Sequence, residues 1–221
     1  TVTWHKHWTL QPQGGQVSVI RCRTNGELMA RTQQFWHVGP KVLDVTYGRG
    51  RFWTHLALMD GSRIELEKHD IRMDGVNFCN LPEEDGSQDV VVFDPDYVST
   101  GGRGTTTVPD FYDRYGLMQS ARTPAGLRRM NYAGMRECWR VLRSGGRLVM
   151  KCMDYVSSGR LELEHVRYQG YATDVLALRP RALIVHWSGT GPQPHYNLDG
   201  SVRRQVHPRA AHSYLMIWEK P

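Results

Sequence analysis

The sequence predicts an α/β protein built on a doubly wound sheet, mostly parallel with an antiparallel C-terminal edge strand. Three observations carry this prediction. Strand and helix signals alternate from residue 41 onward, the turn after the first of those strands is Gly48-Arg49-Gly50, and the last two strand signals are joined by a polar loop instead of a helix.

Taken in order, Lys41 to Thr46 reads as a short buried strand and Gly48 to Gly50 as a turn. Phe52 to Met59 reads as a helix ending at Asp60-Gly61, and Arg63 to Lys68 as a second strand. Gln88 to Phe93 has the β-branched and aromatic density of a central parallel strand covered on both faces, and Asp94-Pro95 ends it because proline cannot continue the ladder. Thr123-Pro124 supplies a helix cap and a first-turn proline. Leu127, Met130, Gly134, Cys138 and Val141 then fall on one helical face. Ser144-Gly145-Gly146 stops that helix, Arg147 to Met153 returns as a strand, and Ala182 to Trp187 and Ser213 to Trp218 complete the sheet.

With 221 residues, 40% of them hydrophobic, the chain has material for one substantial core and too little for two independent enzymatic domains. The expected organisation is an N-terminal extension, residues 1–36, packing on a single domain, residues 37–221. No run of eighteen apolar residues occurs, and Thr1 to Trp8 lacks the continuous apolar stretch of a signal peptide, so a cytoplasmic protein without a membrane span is expected. Cys22, Cys79, Cys138 and Cys152 are scattered without a C-x-x-C pair, which points to reduced thiols. Ten histidines include His5, His7, His37, His195, His207 and His212, but none has the tight spacing of a zinc site, so no metal is expected. The net charge is +6, and all but five of the 28 cations are arginine, whose planar fork suits phosphate and base edges.

In a doubly wound sheet the ligand lies at the carboxyl ends of the strands, so the segment Asp44-Val45-Thr46-Tyr47-Gly48-Arg49-Gly50 is the candidate binding turn. Gly48 and Gly50 let the backbone approach a ligand closely. Phe52 and Trp53 stand where a dinucleotide fingerprint would continue to a third glycine, which argues against a pyrophosphate and for a ligand without phosphate, such as S-adenosylmethionine. An acid at the end of the next strand would accept from ribose hydroxyls; Asp70 is the candidate and Glu67 its rival. Asn77 and Phe78, just before Leu81-Pro82, fall where an adenine-binding turn is expected.

The order of Val42 to Gly50, Leu81-Pro82, Asp89 to Tyr97 and Arg140 to Leu148 resembles class I S-adenosylmethionine-dependent methyltransferases over roughly residues 40 to 219. Asp94-Pro95-Asp96-Tyr97 is similar to the D-P-P-Y signature of the amino-methyltransferases that modify adenine N6 or cytosine N4. The strand Ser213 to Trp218, preceded by Gln205 to Arg209, resembles their closing strand. The resemblance implies a Rossmann-like methyltransferase sheet, S-adenosylmethionine as cofactor, and methylation of an exocyclic amino group of a nucleobase in DNA. An exocyclic amine is a poor nucleophile because its lone pair is delocalised into the ring. Two acceptors gripping its hydrogens, Asp94 and the Pro95 carbonyl, would aim that lone pair at the methyl group while Tyr97 stacks on the base. A base in a duplex would have to be flipped out.

Asp96 departs from the signature, which has a second proline there, and leaves the acceptor open to RNA or a small molecule. Asp94-x-Asp96 is also the type of pair that holds a divalent metal for glycosyl transfer, a reading opposed by the Gly48-Arg49-Gly50 turn. Residues 98–122 read as a substrate lid, with Arg103 and Arg114 reaching an anion and Phe111, Tyr112 or Tyr115 stacking. The chain leaves no room for a separate recognition domain, so residues 98–122 and 188–211, supplemented by a homodimer or partner subunit, would contact the nucleic acid. A third reading is a non-catalytic cofactor-binding subunit.

Overall fold

The computed structural model describes residues 16–56, 59, 64–97, 123–187, 199, 201 and 212–221. Among these the chain order is β1 (Gln16–Arg21), α1 (Asn25–Trp36), β2 (Lys41–Asp44), β3 (Glu65–Lys68), β4 (Gln88–Phe93), α2 (Pro124–Val141), β5 (Leu142–Cys152), β6 (Tyr155–Ser157), β7 (Arg160–Glu162), α3 (Glu164–Gly170), β8 (Arg179–Trp187) and β9 (His212–Glu219). Seven strands form one sheet in the order β1-β8-β9-β5-β4-β2-β3, and β6 and β7 form a separate hairpin. Pairing is parallel for β3, β2, β4 and β5 and for β1 with β8, whereas β9 runs antiparallel between β5 and β8. The predicted antiparallel C-terminal pair is present, with β1 added outside it.

The alternation along β4 shows why the sheet is covered on both sides. All six of its residues are buried. Val91 and Phe93 face one core with Leu43, Leu148, Met150, Met135, Cys138 and Trp218, so α2 packs on that face. Val90 and Val92 face the other with Val42, Val149, Ile217, Leu28, Met29 and Trp36, so α1 packs there. Each fully buried apolar side chain of this size contributes roughly 1.5–3 kcal/mol.

Helix α2 begins as its sequence requires. Thr123 accepts a hydrogen bond from the Gly126 amide at 3.0 Å and Pro124 opens the first turn. Leu127, Gly134, Cys138 and Val141 are buried, and Met130 lies at the edge of the buried stripe.

Several boundaries differ from expectation. The first predicted strand stops at Asp44, before the turn, and β5 starts at Leu142, five residues earlier than expected, because a register shift between Gln88 and Val90 absorbs Ser144 and the glycines into the strand. No α-helix forms over 52–56. The amides of Trp53 and Leu56 bond to carbonyls three residues back, and Met59 does the same, a chain of tight turns. Its cause is burial of two adjacent aromatics, Phe52 and Trp53, with Trp53 edge-on to Trp36 at 6.2 Å. The four cysteines are free. No helix among the described residues is long and apolar enough to cross a membrane. The predicted lid with Arg103, Phe111, Tyr112, Arg114 and Tyr115, the loop over 188–211 apart from 199 and 201, and the first fifteen residues lie outside the described residues.

Candidate active site

Strand β2 lies between β3 and β4, so the chain leaves it in one direction and returns on its other side. The carboxyl ends at this reversal open a crevice. A cavity of about 610 Å³ lies there, a size that suits a cofactor and part of a substrate. Its wall includes Thr46, Tyr47, Gly48, Asp70, Asn77, Phe78, Asp94, Pro95, Asp96 and Tyr97. Ten residues predicted from four separate stretches of sequence therefore converge on one space.

The turn after β2 is shaped by its glycines and fastened by its neighbours. Gly48 and Gly50 both have positive φ, 54° and 66°. The Gly48 amide donates to Asp70 Oδ2 at 2.9 Å, and the Tyr47 amide donates to the His69 carbonyl at 3.0 Å, so the end of β3 holds the turn open. Asp70 also accepts from the Arg72 amide at 2.9 Å. Glu67, the alternative acid, is exposed and accepts from Gln88 instead.

Asp44 and Gly50 are not among the lining residues. The Asp44 carboxylate is buried beneath the turn, where Oδ2 accepts from the Trp53 indole at 2.7 Å and Oδ1 from the Thr46 amide at 3.0 Å. Burial pushes its carboxyl up to about 7 despite these two donors. At Gly50 a Cβ would meet the Tyr47 ring at 2.6 to 2.7 Å.

At the end of β4, the Asp94 amide donates to Thr46 Oγ1 at 2.7 Å, which joins the two halves of the site. The Tyr97 hydroxyl donates to Asp94 Oδ1. Among the described residues no other hydrogen bond to the Asp94 side chain forms. Burial raises the Asp94 carboxyl, while the Lys151 ammonium and the Tyr97 hydrogen bond oppose the rise. Asp96 is anchored through its main-chain oxygen, which accepts from Asn131 Nδ2 at 3.4 Å, but its Oδ1 is buried without a partner. Burial first, and the Asp94 charge second, push the Asp96 carboxyl up to about 7.

Lys151 is the principal residue that sequence reasoning missed. It lies on β5, only 7% exposed, with Nζ 3.1 Å from the Tyr97 hydroxyl and 5.2 Å from the Tyr97 ring centroid. Its signal was a single lysine inside the apolar run Leu148 to Met153. Arg140 was also missed. It holds the carbonyls of Leu81 and Glu83 at 2.9 and 2.8 Å, while Glu137 accepts from the Leu81 amide at 3.0 Å. Helix α2 thereby anchors the stretch that follows Asn77 and Phe78.

No protein-family model and no curated protein matches the sequence. Solved structures do resemble the chain. A Thermus thermophilus protein, assigned as a DNA modification methylase and crystallised with S-adenosyl-L-methionine, is 18% identical, with 82% of this chain and 56% of that one covered and a TM-score of 0.40. An S-adenosylmethionine-dependent methyltransferase from Aquifex aeolicus is 12% identical over 90% of this chain and 91% of its own, with a TM-score of 0.45. This chain spans about half the length of the first structures it matches, at 47% and 49% of theirs. The protein PH0851 superposes with a TM-score of 0.50 at 16% identity, over 91% of this chain and 46% of its own, and the two share a fold.

Proposed function

We propose that this chain is an S-adenosylmethionine-dependent methyltransferase acting on an exocyclic amino group of a nucleobase, with DNA as the acceptor. The observation that carries the reading is the cavity in which the Gly48 turn, Asp70, Asn77 and Phe78 meet Asp94, Pro95 and Tyr97.

The residues present suit that cofactor. At Gly48 a Cβ would lie 3.9 Å from Asp70 Oδ2, so the residue's lack of a side chain keeps the space beside that acid free. Asp70 would take the ribose hydroxyls, Asn77 and Phe78 would flank the adenine, and the Thr46 to Gly48 backbone would lie along the rest. When bound, S-adenosylmethionine supplies an electrophilic methyl group on its sulfonium.

The chain's own groups do the remaining work. Asp94 Oδ2 would accept one amine hydrogen and the Pro95 carbonyl the other, which draws the nitrogen toward tetrahedral geometry. As that nitrogen becomes cationic, its excess proton has a destination in the Asp94 carboxylate. Lys151 and Tyr97 oppose the burial-driven rise of the Asp94 carboxyl, and the Tyr97 hydroxyl fixes its other oxygen. We read residues 37–221 as the catalytic unit, with β1 joined to the edge of its sheet and α1 packed on one face, and a second subunit as the source of further contacts to the nucleic acid.

A second reading, with RNA or a small molecule as acceptor, draws on Asp96, whose partnerless oxygen adds an acceptor that a proline could not offer. Transfer of labelled methyl from S-adenosylmethionine to double-stranded DNA, single-stranded DNA and RNA separates the readings. Label is expected in DNA, and Asp94→Ala should lower kcat by about 10²-fold or more. If all three polymers stay unlabelled while the cofactor binds, the nucleic-acid reading fails, and the small-molecule or non-catalytic reading replaces it.

A further inference from the structure

A second group of ligating side chains lies outside the cavity, at the edge of the sheet. Glu67 and His69 project from β3 and its end, and Glu83 comes from the stretch anchored by α2; each offers one ligand atom, all within 4.8 Å of one another. The His69 ring is oriented by Asp74, whose Oδ2 sits 2.5 Å from Nδ1, and this directs Nε2 toward Glu83 Oε1, also 2.5 Å away. Glu67 is steadied by Gln88 Nε2 at 3.2 Å.

Glu83 makes the group more than a set of surface charges. Its side chain is only 6% exposed, and its second oxygen, Oε2, is buried without a partner. A buried carboxylate oxygen that accepts nothing is costly unless a cation or a donor meets it. Here no donor among the described residues does.

We propose that Glu67, His69 and Glu83 form a binding site for one first-row divalent cation, with zinc as the type. One imidazole and two carboxylates are a donor set that such ions accept, with water completing the shell. Asp74 on His69 and Gln88 on Glu67 are the outer partners that orient ligands in metal sites. On binding, the ion takes the Nε2 lone pair, any proton there leaves to solvent, and the Nε2 to Oε1 separation opens to roughly 3.3 Å, the spacing of two ligands on one tetrahedral ion.

The placement gives the ion a task. Asp70, Asn77 and Phe78 all lie between His69 and Glu83 in the chain, so a cation gripping both ends would close that loop and stiffen one wall of the cavity. The site itself rests only on its ligands; the effect on cofactor affinity rests also on the cavity reading above.

The test is dialysis of the purified chain against zinc chloride, with zinc content by mass spectrometry and affinity by competition with a chromophoric chelator. One zinc per chain is expected, with affinity reduced at least tenfold in His69→Gln and in Glu83→Gln. Because those two side chains also brace the loop, Glu67→Gln on the exposed edge serves as a third variant, with far-UV circular dichroism to verify folding. It too should lose about tenfold or more. Substoichiometric zinc, or binding unchanged in a folded Glu67→Gln, would overturn the site and assign any bound zinc to other histidines. Zinc binding without cofactor binding would leave this site standing and remove the cavity reading; cofactor binding without zinc would do the reverse.

Discussion

Asp44 lies beneath the turn after β2, where both carboxylate oxygens are taken up by Trp53 and Thr46. Removing it leaves two donors unmet, one of them buried, so Asp44→Ala should cost about 2–3 kcal/mol in urea unfolding. Its place at a strand end marked it in the sequence as a cofactor contact; its buried partner nine residues away was not legible, because that depends on how Trp53 packs. Asp96 offers a pH test. Its folded carboxyl titrates at about 7 against an ordinary 3.8, so the folded state holds a proton that the unfolded state has released. The residue's contribution to stability is therefore greatest below about pH 4 and declines as pH rises to about 7. Relative to wild type, Asp96→Asn should gain stability between pH 5 and pH 8, on the order of 1 kcal/mol, in thermal melts at the two pH values. A difference that stays constant across that range would contradict the burial assigned to this carboxyl.

Helix α2 connects packing to the cavity. A Cβ at Gly134 would stand 2.7 Å from the rings of both Phe78 and Phe93, which are themselves 5.0 Å apart. Gly134→Ala should cost about 1–3 kcal/mol by overpacking and, because Phe78 lines the cavity, should weaken cofactor binding as well. Thr123→Ala removes only the cap and should cost about 1 kcal/mol in the same melts, with cofactor affinity unchanged. This helix was readable because a cap, a first-turn proline and a periodic apolar face agree. The segment after Gly50 was misread because adjacent Phe52 and Trp53 look helical in pattern, yet both must be buried, which turns satisfy and an amphipathic helix does not. Strand β1 and helix α1 went unread because the charged and polar residues around them hide short apolar sets that are recognisable only against the finished sheet.

At the scale of the molecule, four strand ends deliver one site. β2 contributes the turn, β3 the acid that holds it, β4 the Asp94 to Tyr97 segment and β5 the buried Lys151. The sheet and the location of its crevice follow from the order of strands, which hydrophobic runs and turn residues reveal. What sequence cannot reveal is which side chain on a neighbouring strand faces inward, as Lys151 does, since inward direction is fixed by register across the sheet. On the function proposed above, the near half of this cavity holds S-adenosylmethionine and the far half holds the acceptor. Calorimetric titration with S-adenosylhomocysteine tests it directly. One binding site per chain is expected, with affinity at least tenfold lower in Asp70→Ala and close to wild type in Asp94→Ala. No binding by the folded chain, or equal loss in both variants, would contradict it.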